Sequence, residues 1–181
     1  MPGGGEVCFH QRMATDFSIR PVRTAGDLAA VAALFQDYVA TLDVDLGYQD
    51  FSHELAGLPG KYAPPGGELL LARDAAGQPL GCAALRPIPP DGCCEMKRLY
   101  LLPAARGLGL GKAMTEAVIQ AARALGYDEL RLDTLPSMTT AMRLYEALGF
   151  ERTGPYYAPT PDGTVFMRLR LRPSEETRDG S

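Results

Sequence analysis

The chain has 181 residues, 46% of them hydrophobic and 22% charged, with a formal net charge of −4. That length suffices for one domain with a full core and is short for two, and the composition excludes a disordered or fibrous chain. The acidic balance gives no electrostatic reason to expect nucleic acid or an anionic membrane surface as a partner, and it suits a cationic substrate better.

No apolar run approaches the roughly eighteen residues of a membrane span, and the Gly-rich start lacks the basic and apolar regions of a signal peptide, so the expected location is the cytoplasm. Cys8, Cys82, Cys93 and Cys94 show no CxxC spacing, which argues for reduced thiols rather than a zinc site or a disulfide scaffold. With His10 and His53 as its two histidines, the chain offers little support for a Ser-His-Asp or Cys-His system.

Residues 1–16 read as a flexible extension, within which Met13 is a second candidate start. Phe17 to Val22 alternates like a strand. Thr24, with Asp27 three places on, opens a helix whose apolar stripe is Leu28, Val31, Phe35, Tyr38 and Leu42. Asp43 to Gly67 is irregular, with a short helix near Phe51 to Leu55. Glu68 to Arg73 and Leu80 to Arg86 form an antiparallel pair across Asp74 to Gln78. Glu95 to Leu101 is a further strand. Leu110 to Leu125 is a helix with Leu110, Met114, Ala117, Val118, Ala121 and Leu125 on one face, stopped by Gly126. Glu129 to Thr134 is a strand, and Ser137 caps a last helix whose inner face is Ala141, Leu144, Tyr145 and Leu148. Strands follow near Phe150 to Tyr156 and Thr164 to Leu171, and residues 173–181 form a polar, flexible tail. This order predicts a single α/β (α+β) domain over residues 17–172, a mixed sheet of six to seven strands flanked by about four helices.

The strongest local signal is Arg106-Gly107-Leu108-Gly109-Leu110-Gly111-Lys112, between a strand and a long amphipathic helix. Its glycines leave backbone N–H groups uncovered at a helix N-terminus, with two cations beside them, a combination that favours phosphate. A P-loop needs Gly five places before Gly111 and Ser or Thr after Lys112, where Arg106 and Ala113 stand. A dinucleotide fingerprint needs Gly at Lys112 or Met114, and fails too.

What the segment matches is R/Q-x-x-G-x-G/A, through Arg106, Gly109 and Gly111. It resembles the pyrophosphate loop of the GNAT superfamily of acetyl-CoA-dependent N-acetyltransferases. Glu95 to Pro103 is similar to the strand preceding that loop, and Leu144-Tyr145-Glu146-Ala147-Leu148-Gly149-Phe150 to its LYxxxGF helix end. The resemblance covers roughly Phe17 to Leu171.

It implies that the strand over Glu95 to Leu101 splays from the strand over Glu129 to Thr134, and that the pantetheine arm of acetyl-CoA lies in the opening. There it pairs with the backbone of Leu99 and Leu101, with Tyr100 between them, as an added strand. The pyrophosphate then rests on the N–H groups of Gly107, Leu108, Gly109, Leu110, Gly111 and Lys112, beside Arg106. Tyr145 corresponds to the tyrosine that protonates the leaving thiolate in many members, or it anchors the cofactor by packing. Glu95, eleven places before Arg106, falls where some protein-lysine acetyltransferases carry a glutamate general base. Alternatively it pairs with Lys97 or Arg98, or binds a cationic substrate, and a water chain acts as base. Oxyanion stabilisation is expected from backbone N–H near Leu99. One departure is Met138, where the frequent pattern N-x-x-A-x-x-L-Y has asparagine; Ser137, Thr139, Asp133 and Thr134 are candidates to line the same cleft.

The expected activity is direct transfer of an acetyl group to the primary amine of a small molecule or peptide, with no metal, nucleic-acid or membrane partner; many members of the superfamily pair as homodimers, and the sequence leaves the oligomeric state of this chain open. The expected acceptor pocket comprises the Asp43 to Gly60 segment with Asp43, Asp45, Tyr48, His53 and Glu54, the Glu95 strand, and the loop with Tyr156 and Tyr157. Two rivals are acyl-CoA hydrolysis and a non-catalytic acyl-CoA-binding sensor or interaction module.

Overall fold

The computed structural model describes residues 16–42 and 50–172. The expected extension, except Asp16, and the tail lie outside the described residues, as do Asp43, Asp45 and Tyr48. Eleven strands and α-helices follow one another among the described residues: β1 (Phe17–Pro21), α1 (Ala25–Ala40), α2 (Phe51–Ala56), β2 (Glu68–Asp74), β3 (Pro79–Ile88), β4 (Cys93–Leu101), α3 (Leu110–Ala124), β5 (Glu129–Thr134), α4 (Thr139–Ala147), β6 (Glu151–Thr153) and β7 (Val165–Arg170).

The strands form one sheet in the order β1-β2-β3-β4-β5-β7-β6. Every neighbouring pair is antiparallel except β4 with β5, which is parallel. Both faces of the central strands are covered, which is why β2 reads as a continuous apolar run. Leu70 and Ala72 point into a core with Leu110, Met114 and Val118 of α3, whereas Leu69 and Leu71 point to a second core with Val31, Leu34 and Phe35 of α1.

Local signals behave as their chemistry dictates at most boundaries. The Thr24 side chain accepts a hydrogen bond from the Asp27 N–H at 3.1 Å and starts α1. Two expectations are corrected. Ser137 does not cap α4: the helix begins at Thr139, Met138 holds the cap position, and no side chain caps it, because Ser137 stands one residue too early to reach the first free N–H groups. On α3 the buried face also takes Thr115, Ile119 and Ala122 while Leu125 is exposed, so the stripe is rotated from the one expected.

Two irregularities in β4 make the site. Opposite β3, Cys82 faces Tyr100 and Ala84 faces Lys97, so Arg98 and Leu99 together oppose Ala83 in a bulge. Arg98 has φ +57°, an unusual left-handed conformation for a long side chain. On the other side, β4 pairs with β5 only over Cys93↔Glu129, Cys94↔Leu130 and Glu95↔Arg131. Beyond that point the two strands diverge.

Candidate active site

The divergence of β4 and β5 opens a cavity of about 650 Å³. Leu99, Tyr100 and Leu101 form one wall, and Leu132, Asp133 and Thr134 the other. Arg106, Gly107 and Gly111 close the end nearest α3; Ser137, Met138 and Thr139 where α4 begins, Leu144 and Tyr145 further along it, and the end of α1 add to the lining.

Eleven of the residues anticipated from the sequence therefore meet here: Leu99, Tyr100, Leu101, Arg106, Gly107, Gly111 and Tyr145, together with the cleft candidates Asp133, Thr134, Ser137 and Thr139. The others stand apart from the lining. Leu108 is exposed, Leu110 is buried in the α3 core, and Lys112 reaches Glu116 at 3.8 Å on the helix surface. Gly109 occupies the position before α3 at φ +81°, and a Cβ built there would meet nothing within 4 Å. Only glycine adopts that backbone without strain, and the space beside it is open. The loop thus directs the start of a 15-residue helix at the cavity end. The Arg106 guanidinium lies over the Tyr100 ring, 5.9 Å from its centroid, and its Nε donates to the Leu101 carbonyl at 3.3 Å.

Tyr145 is carried by α4 against Phe150, with ring centroids 5.7 Å apart. Burial pushes its phenol above the usual tyrosine range, with the Tyr38 hydroxyl and the Asp133 carboxylate adding to the shift. It stays protonated at neutral pH and is suited to donating.

Glu95 is fully buried and does not line the cavity. One carboxylate oxygen accepts from Arg86 Nε at 2.7 Å and the other from the Tyr156 hydroxyl at 2.8 Å. Lys97, the partner anticipated for it, is 4.0 Å away, while Arg98 binds Glu54 instead, Nη2 to Oε2 at 2.6 Å. Tyr62 also donates to Glu54, and the Arg98 guanidinium lies over the Phe51 ring, so the short helix α2 is fastened to the bulge. His53 is exposed against Asp50.

A pair that sequence reasoning passed over spans the opening. Lys97 and Asp133 each follow by two residues the last paired positions, Glu95 and Arg131, so alternation turns all four to one face. Lys97 Nζ sits 3.3 Å from Asp133 Oδ1 and 5.4 Å from the centroid of the Tyr157 ring. The available signal was two adjacent cations, Lys97 and Arg98, inside a strand that is otherwise apolar apart from Glu95. Among the described residues the charged groups lining the cavity are Lys97, Arg98, Arg106 and Asp133. Arg98 is matched by Glu54 and Lys97 by Asp133. The described residues contain no group of three or more His, Cys, Asp or Glu able to hold a metal ion, and no helix long and apolar enough to cross a membrane.

Comparison with known proteins agrees with this geometry. The model of the acetyltransferase (GNAT) family matches residues 28–150. An uncharacterized N-acetyltransferase of Schizosaccharomyces pombe is 43% identical over 157 residues, covering 87% of this chain and 96% of that protein. The uncharacterized N-acetyltransferase YjgM of Escherichia coli is 31% identical, covering 82% of this chain and 89% of its own length. The structure of yncA, described as a putative acetyltransferase, from Salmonella typhimurium, solved with its cofactor acetyl-CoA, superposes with a TM-score of 0.64 at 23% identity, covering 87% of this chain and 95% of that one. The splayed strands, the glycine loop at the head of α3 and these relatives together establish that the chain belongs to the acetyltransferase (GNAT) family, as an acetyl-CoA-dependent N-acetyltransferase.

Proposed function

We propose that acetyl transfer takes place inside the β4–β5 opening, on a primary amine that enters from the side of Lys97 and Asp133. The observation that carries this reading is the opening itself: a strand edge left without a neighbour, with a glycine loop and helix N-terminus at one end and a protonated tyrosine in the wall. The residues fit acetyl-CoA. Among the described residues, the β5-facing edge of β4 has no strand beside it beyond Glu95, and the buried Thr134 hydroxyl, on the facing strand, has no hydrogen-bond partner.

Acetyl-CoA supplies an activated acyl carbon and a thiolate leaving group. In this reading the backbone of Leu99, Tyr100 and Leu101 holds the pantetheine arm, and Gly107, Leu108, Gly109, Leu110, Gly111 and Lys112 offer N–H groups to the pyrophosphate, with Arg106 and Lys112 adding charge. Oxyanion stabilisation is assigned to the backbone N–H of Leu99, which lies in the bulge. Tyr145 gives its proton to the departing sulfur. Glu95, with both oxygens engaged outside the cavity, acts as an anchor for Arg86 and Tyr156; Asp133 is the carboxylate that reaches the cavity, where it orients the ammonium while solvent takes its proton. The buried, unbridged thiols of Cys82, Cys93 and Cys94 support a cytoplasmic setting.

The test is calorimetric titration with acetyl-CoA followed by CoA release over a panel of amines. Binding with amine-dependent release supports transfer. Release independent of any amine favours hydrolysis, binding without release favours a sensor, and absence of binding overturns the reading.

A further inference from the structure

We propose that the acceptor is a zwitterion, an amine with a carboxylate close to it as in a free α-amino acid, and that the Lys97–Asp133 ion pair recognises it. The inference rests on the transferase reading and narrows it. Lys97 and Asp133 stand at the first same-face positions beyond the last β4–β5 pair, so their side chains bridge the narrow end of the opening. Both line the cavity, with side chains only 5% and 13% exposed.

The pair is locally neutral, and so is its surrounding. Glu95, which also approaches Lys97, is taken up by Arg86, and Glu129 by Arg131. A neutral ion pair presents a dipole, and the ligand that matches a dipole in a site shielded from water is another dipole laid antiparallel to it. An acceptor ammonium then lies against Asp133 and its carboxylate against Lys97. The Lys97 ammonium keeps the Tyr157 ring face as its other contact. A polyamine fits poorly, because Asp133 is the one carboxylate among the described lining residues and already faces Lys97. The N-terminal residue of a peptide, or a lysine side chain, brings the amine without the neighbouring carboxylate and leaves Lys97 facing no new partner.

The protein is incubated with acetyl-CoA and an equimolar mixture of the twenty free α-amino acids, their carboxamides and spermidine, and N-acetylated products are read by mass spectrometry. The expected result is acetylation of one or a few free amino acids, with kcat/KM at least about tenfold above the matching carboxamide. Lys97→Met, checked for folding by circular dichroism and for acetyl-CoA binding by calorimetry, is expected to raise KM for the free acid and to abolish its advantage over the carboxamide. Carboxamides or spermidine acetylated as well as the free acids, or Lys97→Met lowering both alike, overturns the proposal. Direct calorimetry of the same acids and carboxamides against the CoA-loaded protein decides the matter separately from turnover. Binding of free acids alone upholds the zwitterion site even where transfer fails, and equal or absent binding of both overturns it.

Discussion

Tyr145 and Glu95 show what separates a readable residue from an unreadable one. Tyr145 sits in a contiguous LYxxxGF segment, so its place at the end of a helix beside the cleft follows from local sequence. Glu95 is defined by partners far along the chain: Arg86 on the neighbouring strand and Tyr156, 61 residues later, whose approach depends on β7 packing beside β5. Lys97 and Asp133 are likewise 36 residues apart, joined by strand register alone. Two outcomes belong to this scale. Tyr145→Phe removes a hydroxyl and leaves the ring stack on Phe150, so kcat is expected to fall about a hundredfold, the lower range for loss of a proton donor, with acetyl-CoA affinity little changed. The sign of the pH effect follows from burial. Because the phenol is held above its ordinary value, it remains protonated while the acceptor amine becomes neutral. Wild-type kcat is therefore expected to rise through pH 9 with no alkaline fall from this group; a descending limb below pH 9 that Tyr145→Phe eliminates would contradict it.

Elements were legible where one short signal decides them. Thr24 with Asp27, the Asp74 to Gln78 turn and the seven strands in order follow from caps, turns and alternation. The rotated face of α3 was not, because Ala117, Ala121 and Leu125 fit a helical period as well as Ile119 and Ala122 do, and only contact with β2, β3 and β4 selects between them. Bulge and splay escape periodicity for the same reason, since each is a relation between strands. The turn into α3 offers an element-scale prediction. Gly109→Ala places a Cβ on a residue at φ +81° with nothing within 4 Å of it. The fold should lose about 1 kcal/mol from backbone strain alone, read as a lower urea midpoint at constant m. Acetyl-CoA affinity should drop tenfold or more, because the added methyl enters the space proposed for the pyrophosphate. A short acetyl thioester lacking the nucleotide, assayed with the same variant, should react as it does with wild type; equal losses for both donors would move the phosphate elsewhere.

Over the whole molecule, the two cores on either side of one sheet bury groups that ionise only at alkaline pH. Burial pushes the thiols of Cys82 and Cys94 and the phenols of Tyr127, Tyr145 and Tyr156 above their ordinary values; the neighbouring Glu95 carboxylate adds to the shift of Tyr156. In the unfolded chain the thiols release their protons near pH 8.5 and the phenols near pH 10. Above those values the unfolded state has lost protons that the folded state retains, so stability falls as pH rises, by about 1.4 kcal/mol per pH unit for each such group. On the acid side Asp27 makes the opposite contribution: held low by Arg73 and Thr24, it adds stability that is lost as pH falls below the usual carboxylate range. The urea midpoint is therefore expected to hold through pH 6 to 8, to decline with the buried thiols, Cys93 among them, from about pH 8.5, and to steepen past pH 10 as the phenols join. Cys94→Ala removes one thiol whose Sγ donates to the Glu129 carbonyl at 3.5 Å, and should lower the midpoint at pH 7.5 while flattening its decline between pH 8.5 and 10. A decline of unchanged slope in that variant would assign the alkaline loss to groups other than the Cys94 thiol, and would count against the view that the closed packing of the α3 core, rather than surface charge, sets the alkaline limit of this fold.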